Sequence, residues 1–94
     1  MHPLLIRHRD DLLALARKRG IDRMRVFGSM ARGDATESSD VDLLVSLPAK
    51  GIGLALGGLV ADIQDLLGRR VDLVTEGGLH PLIRQRIVDS AVEL

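Results

Sequence analysis

Gly28 and Ser29 at a turn, Asp40 and Asp42 two apart, and Asp72 inside a later apolar stretch are the residues whose types and spacing do chemistry. Alternate residues of a strand point to the same side, so the carboxylates of Asp40 and Asp42 converge. Packing them in a strand costs heavily unless a partner neutralises them. Lys or Arg would serve, yet no cation lies beside them in DVDLLV. A hard divalent ion such as Mg²⁺ serves as well, taking one or two carboxylates together with phosphate oxygens. Asp72 is the only charged residue in VDLVT, and it poses the same problem between Val71 and Leu73. We therefore place it beside the pair. Three carboxylates have the capacity for two cations ~3.5 to 4 Å apart, one polarising an attacking hydroxyl and one holding a triphosphate and its leaving pyrophosphate. Gly28 removes a Cβ from the path of phosphate oxygens, and Ser29 offers a hydroxyl and free amides at a helix start.

Other polar residues near this run have open roles. Arg32 has a phosphate as one outlet, and water, Asp34 or Asp40 as others. Ser39 is placed to donate to Asp42 or a phosphate, or to serve ordinary turn chemistry. An Asp-x-Asp alone also fits a turn with solvated edge aspartates. His2, His8 and His80 are spread too widely to form a metal cluster by sequence, and His80 before Pro81 reads as a helix-entry residue. Asp62 and Asp65 read as solvated on the polar side of a helix, and Asp34, Thr36 and Glu37 as ordinary loop residues.

The elements that must position these groups follow from periodicity. Pro3 opens a helix to about Arg19 with Leu5, Leu12 and Ala16 on one side, although Arg9 falls in the same stripe. A short strand is expected over Met24 to Phe27, and a brief helical segment, SMAR, ends at Gly33. Residues 40–45 alternate, with Val41, Leu43 and Val45 facing one way and Asp40, Asp42 and Leu44 the other. After a break from Pro48 to Gly53, Ile52, Leu56, Leu59, Val60, Ile63, Leu66 and Leu67 form one face of an amphipathic helix. Gly57 and Gly58 inside it each cost up to ~1 kcal/mol relative to alanine. Val71 to Thr75 is a third strand. A final helix places Ile83, Ile87, Ala91 and Leu94 at helical spacing. An α/β (α+β) domain over residues 1–94 is expected, with a small mixed sheet of three strands or slightly more packed against helices.

Composition narrows the function classes. With 46% hydrophobic residues the chain buries one modest core, and its only aromatic, Phe27, leaves no platform for stacking single-stranded bases. Thirteen basic and thirteen acidic residues cancel, so attraction to polyanions is weak and no direct nucleic-acid partner is expected. Without cysteine there is neither a disulfide nor a thiolate site, which fits the cytoplasm. The apolar run GIGLALGGLVA is far shorter than the ~20 residues a membrane span requires. Exposed leucine positions favour self-pairing.

The run GSMARGDATESSDVDLLV resembles the signature of the nucleotidyltransferase superfamily that includes DNA polymerase beta: Gly-Ser, ten residues, Asp-x-Asp. RRVDLVT resembles the family's third carboxylate strand, and the likeness to the short prokaryotic minimal form extends over nearly the whole chain. The resemblance implies the nucleotidyltransferase fold. It further implies that Ser29 contacts the triphosphate, that Asp40 and Asp42 ligate two Mg²⁺ ions, and that Asp72 is the third ligand and helps activate the acceptor hydroxyl. Gly28, Arg32 and Ser39 complete the nucleotide-binding set. The minimal group's companion is a helical HEPN ribonuclease toxin. The implied reaction transfers AMP from ATP to a tyrosine of that toxin, which makes the minimal protein its antitoxin. This chain has no tyrosine, so self-modification at tyrosine is not expected. Two alternatives stand beside this reading: a non-catalytic antitoxin that binds nucleotide and covers its partner, and, ranked last, an enzyme that modifies a small molecule such as an antibiotic.

Overall fold

The computed structural model describes residues 1–46 and 53–94, and side chains from residue 56 onward in the second part. The expected break from Pro48 to Gly53 and the placement of Ile52 therefore fall largely outside the described residues. The elements run α1 (Pro3–Arg7), α2 (Arg9–Lys18), β1 (Arg23–Phe27), α3 (Gly28–Arg32), β2 (Val41–Ser46), α4 (Gly53–Leu67), β3 (Val71–Thr75), α5 (Pro81–Ser90) and β4 (Val92–Glu93). The four strands form one mixed sheet in the order β3-β2-β1-β4. β1 is antiparallel to both β2 and β4, while β2 and β3 run parallel because α4 carries the chain back to the same end.

One face of this sheet is the core. Met24 and Val26 of β1, Val41, Leu43 and Val45 of β2 and Val71 of β3 pack with Leu5, Leu12, Ala16, Met30, Leu59, Ile63 and Leu67. These are the apolar positions that period-two and period-3.6 patterning select. The opposite face carries Arg25, Asp42, Leu44 and Asp72, so the acidic side chains share a layer distinct from the core.

Three expectations about the elements are corrected. The opening helix is two, divided at His8, whose backbone (φ −102°, ψ 13°) leaves the α-helical region. The interruption lets Leu5, Leu12 and Ala16 all reach the core while Arg9 turns to solvent. β2 starts at Val41, so Asp40 stands just before the strand. Leu44 lies on the side of Asp42, as expected, and is fully buried beside its cross-strand partner Arg25, itself only 4% exposed. Finally, α5 ends at Ser90 and the chain straightens at Ala91 (φ −71°, ψ 140°), so Leu94 reaches the core from the end of a strand. Ile83, at the same helical spacing, is 43% exposed.

Both histidines before prolines act as helix N-caps: Leu4 N donates to His2 Nδ1 at 3.1 Å and Leu82 N to His80 Nδ1 at 3.2 Å. The helix-entry reading of His80 holds. Among the described residues no helix is long and apolar enough to cross a membrane.

Asp62, expected to be solvated, instead accepts from Arg19 Nη2 at 2.8 Å and ties α4 to the end of α2. The guanidinium lies where a Cβ on Gly58 would stand, 2.5 Å from Arg19 Nη1. Gly57 has nothing within 4 Å of that position. The two adjacent glycines should therefore respond differently to alanine. Gly57→Ala gains up to ~1 kcal/mol of helix propensity, raising Tm by up to about 4 to 8 °C for a domain of this size. Gly58→Ala must displace Arg19 and gains less, a contrast that parallel thermal melts will read.

Candidate active site

The parallel pairing of β2 with β3 places Asp42 and Asp72 as register partners on neighbouring strands. Asp40, two residues before Asp42, approaches from the end of the loop that enters β2. Burial pushes the Asp42 carboxyl above the ordinary aspartate value, the charges of Asp72 and then Asp40 push it further, and Arg32 offsets part of this. Asp42 is half-buried, while Asp40 and Asp72 are exposed. The expectation that all three suffer burial is thus corrected: only Asp42 loses water, and the other two act on it mainly through their charge.

Gly28 sits opposite. It begins α3 with φ +70°, a left-handed conformation that favours glycine. A Cβ built there would collide with the Asp42 carboxylate. The glycine is needed both for its backbone angle and for the space its missing side chain leaves to Asp42. Ser29 follows on the first turn of α3, whose N-cap, Phe27, makes no side-chain cap bond. Phe27 is also the cross-strand partner of Asp42, so the antiparallel β1–β2 pair brings the Gly-Ser turn to the aspartate end of β2.

The ten residues between Ser29 and Asp40 have a structural reading. Gly33 (φ +85°) closes α3, and the amides of Gly33 and Asp34 donate back to Ser29 O at 2.9 and 3.2 Å. A turn follows in which Thr36 N donates to Ser39 Oγ at 2.8 Å, so the Ser39 hydroxyl is engaged in turn chemistry. Arg32 Nε donates to Asp34 Oδ2 at 3.2 Å with both side chains well exposed, one of the outlets expected for it.

One buried charge escaped the sequence reading. Arg25, on the same sheet layer as Asp42, donates from Nη2 to Glu76 Oε1 at 2.5 Å and to Ser46 Oγ at 3.5 Å. This bond and the guanidinium's charge hold Glu76 below the ordinary glutamate value. Alternation in RMRVF signals that Arg25 points away from the core, but nothing local signals a partner as remote as Glu76. The buried cation on this face is therefore engaged elsewhere, and the aspartates keep their excess negative charge.

Among the described residues no three His, Cys, Asp or Glu side chains are already drawn together as a metal site. The donor set is nonetheless the hard-oxygen chemistry that suits Mg²⁺, and the raised Asp42 carboxyl marks a spot where a cation is stabilising. A recess of about 570 Å³ between α2 and α4 is lined by residues including Leu15, Asp62 and Leu66. One of about 360 Å³ is lined by Val45, Ser46, Thr75, Glu76 and Gly77. Neither is lined by the three aspartates.

The nucleotidyltransferase domain family model matches residues 7–94. This chain belongs to that family. A protein adenylyltransferase, MntA, of Thermococcus cleftensis is 38% identical over 73 residues, spanning 78% of this chain and 74% of that protein. A Methanocaldococcus jannaschii protein assigned the same activity is 35% identical over 83 residues, spanning 88% of this chain and 89% of its own length. A solved structure described as a minimal nucleotidyltransferase superposes with TM-score 0.86 at 41% identity, covering 100% of this chain and 97% of the other. The nucleotidyltransferase fold is also shared with a toxin–antitoxin structure containing AMP-PNP, at TM-score 0.76 and 22% identity, over 89% of this chain and 69% of that one.

Two outcomes follow from the geometry. Gly28→Ala meets both a left-handed backbone and the Asp42 carboxylate, and should lower Tm by several degrees, given ~1 to 2 kcal/mol for the backbone alone. Asp42→Asn behaves oppositely in metal-free buffer. With its folded pKa raised, Asp42 contributes stability below its unfolded pKa that is lost as pH rises through the folded value. The Asn variant should therefore melt above the wild type in EDTA at neutral pH, and the gap should close in acid, where Asp42 is protonated in both states.

Proposed function

We propose that this nucleotidyltransferase transfers AMP from ATP to a hydroxyl of a protein partner, with Asp40, Asp42 and Asp72 holding two Mg²⁺ ions. The observation that carries the reading is the register pairing of Asp42 with Asp72 beside a Gly28–Ser29 turn, which leaves an excess of negative charge that no buried cation among the described residues balances. Bound Mg²⁺ would supply that charge, acidify the acceptor hydroxyl and offset charge on the departing pyrophosphate.

The chain's own residues then divide the work. Gly28 keeps the Asp42 carboxylate close to the turn, and Ser29 presents its hydroxyl and the amides of the first turn of α3 toward the triphosphate. Arg32 is held by Asp34 only in an exposed pair, worth ~1 kcal/mol or less, so exchange of that carboxylate for a phosphate costs little. Asp72, exposed on its strand, is the carboxylate best placed to meet an incoming acceptor and take its proton. Ser39 acts by shaping the loop, its hydroxyl being occupied there.

The acceptor is supplied from outside, because Asp40 and Asp72 are exposed. Relatives named protein adenylyltransferases point to a protein acceptor, and neighbours solved as toxin–antitoxin complexes point to a toxin. We propose, on the resemblance to the minimal nucleotidyltransferases, that the partner is a HEPN ribonuclease toxin, the acceptor one of its tyrosines and the place of action the cytoplasm, with this domain as the antitoxin.

Incubation of the partner toxin with this protein, ATP and Mg²⁺, followed by intact-mass measurement, tests the reading. An adduct of one AMP is expected, absent with EDTA and reduced by at least about a hundredfold in rate with Asp42→Asn or Asp72→Asn, the scale of losing a charge-stabilising group. A partner that is inhibited but never modified would replace catalysis with sequestration.

A further inference from the structure

The loop that delivers Asp40 is held from the other side of the carboxylate cluster. Arg69, in the short link between α4 and β3, donates from Nη1 to Thr36 O at 2.7 Å and reaches Ser39 O at 3.4 Å. Both carbonyls belong to the turn immediately before Asp40, and Ser39 is its direct neighbour. The same turn is closed internally by Thr36 N donating to Ser39 Oγ and by the contact of Thr36 Oγ1 with Ser39 Oγ at 3.2 Å. The backbone continues the connection: Val41 N donates to Arg70 O at 2.9 Å, and Val71 N donates to Gln64 Oε1 at 3.2 Å. Residues 69–71 thus bridge the segment carrying Asp72 to the segment carrying Asp40 and Asp42.

We propose that Arg69 is a positioning residue of the active site, its guanidinium fixing the 36–39 turn so that Asp40 is presented beside Asp42 and Asp72. Asp42 and Asp72 are set by strand register, which is cooperative and hard to shift. Asp40 lies outside the strand and has no such constraint. Its repulsion from Asp42 favours moving away, and a turn held only by serine and threonine hydroxyls would let it move. A guanidinium whose Nη1 donates to two carbonyls of one turn, Thr36 O and Ser39 O, fixes the backbone rather than the carboxylate, so Asp40 remains free to ligate.

This inference rests on the metal reading above, and its test separates the two. Mn²⁺ binding to the full chain, followed by electron paramagnetic resonance without turnover, is compared for wild type, Arg69→Gln, Arg69→Lys and Arg70→Gln. Arg70→Gln removes the adjacent, exposed charge and serves as the control for long-range electrostatics. Loss of a group that orients a ligand costs about 10- to 100-fold in metal affinity. Arg69→Gln should weaken Mn²⁺ binding at least tenfold and raise the Mg²⁺ needed for half-maximal AMP transfer in parallel, while kcat at saturating Mg²⁺ stays within about threefold. Arg70→Gln should match the wild type. Arg69→Lys keeps the charge without the guanidinium's geometry and should fall between, which preserves the comparison if the glutamine variant fails to fold. Equal Mn²⁺ affinity in wild type and in the Arg69 variants overturns the proposal, as does an equal loss in Arg70→Gln. A wild type that binds no Mn²⁺ overturns the metal reading and the proposal with it.

Discussion

Like charges in register on neighbouring strands repel at the separation of a hydrogen-bonded ladder, about 4.8 Å. Asp42 and Asp72 are held there, with Asp40 close behind, and their charges add to the burial that already raises the Asp42 carboxyl. The fold offers little relief. Arg25, the buried cation on that layer, is bound to Glu76, and Arg32 acts on Asp42 only from an exposed position. Such an arrangement is stabilised by whatever brings positive charge to it.

The remainder of the structure serves to impose this repulsion. The apolar face of the sheet, packed against α2 and α4, fixes the strand order that sets β2 beside β3. The return through α4 makes the pair parallel, and that direction aligns the second residue of β3 with the second residue of β2. The antiparallel β1 then brings the Gly28–Ser29 turn to the same end. Because α2 and α4 pack on the other side, Asp40 and Asp72 stay exposed on the charged layer.

Much of this was legible in the sequence because alternation and helical spacing are local. Val41, Leu43 and Val45 signal the core face of β2, and the Gly-Ser to Asp-x-Asp spacing signals the turn, helix and loop between β1 and β2. What was not legible depends on long-range partners. Ala91 and Leu94 continue the helical spacing of Ile83 and Ile87, yet pairing with β1 draws Val92 and Glu93 into a strand. Arg25 is buried because Glu76 meets it, Gly58 is useful because Arg19 lies on it, and Arg69 reaches a turn far back in the chain. At the site, spacing indicated which aspartates belong together, but only the three-dimensional arrangement distinguishes half-buried Asp42 from its exposed neighbours.

The central claim is that the three carboxylates exclude a triphosphate until cations intervene. Titration calorimetry of the protein with a non-hydrolysable ATP analogue, in Mg²⁺ and in EDTA, tests it most directly. The account predicts saturable heat of binding in Mg²⁺ and none in EDTA; equal binding in both buffers, or none in either, would contradict it.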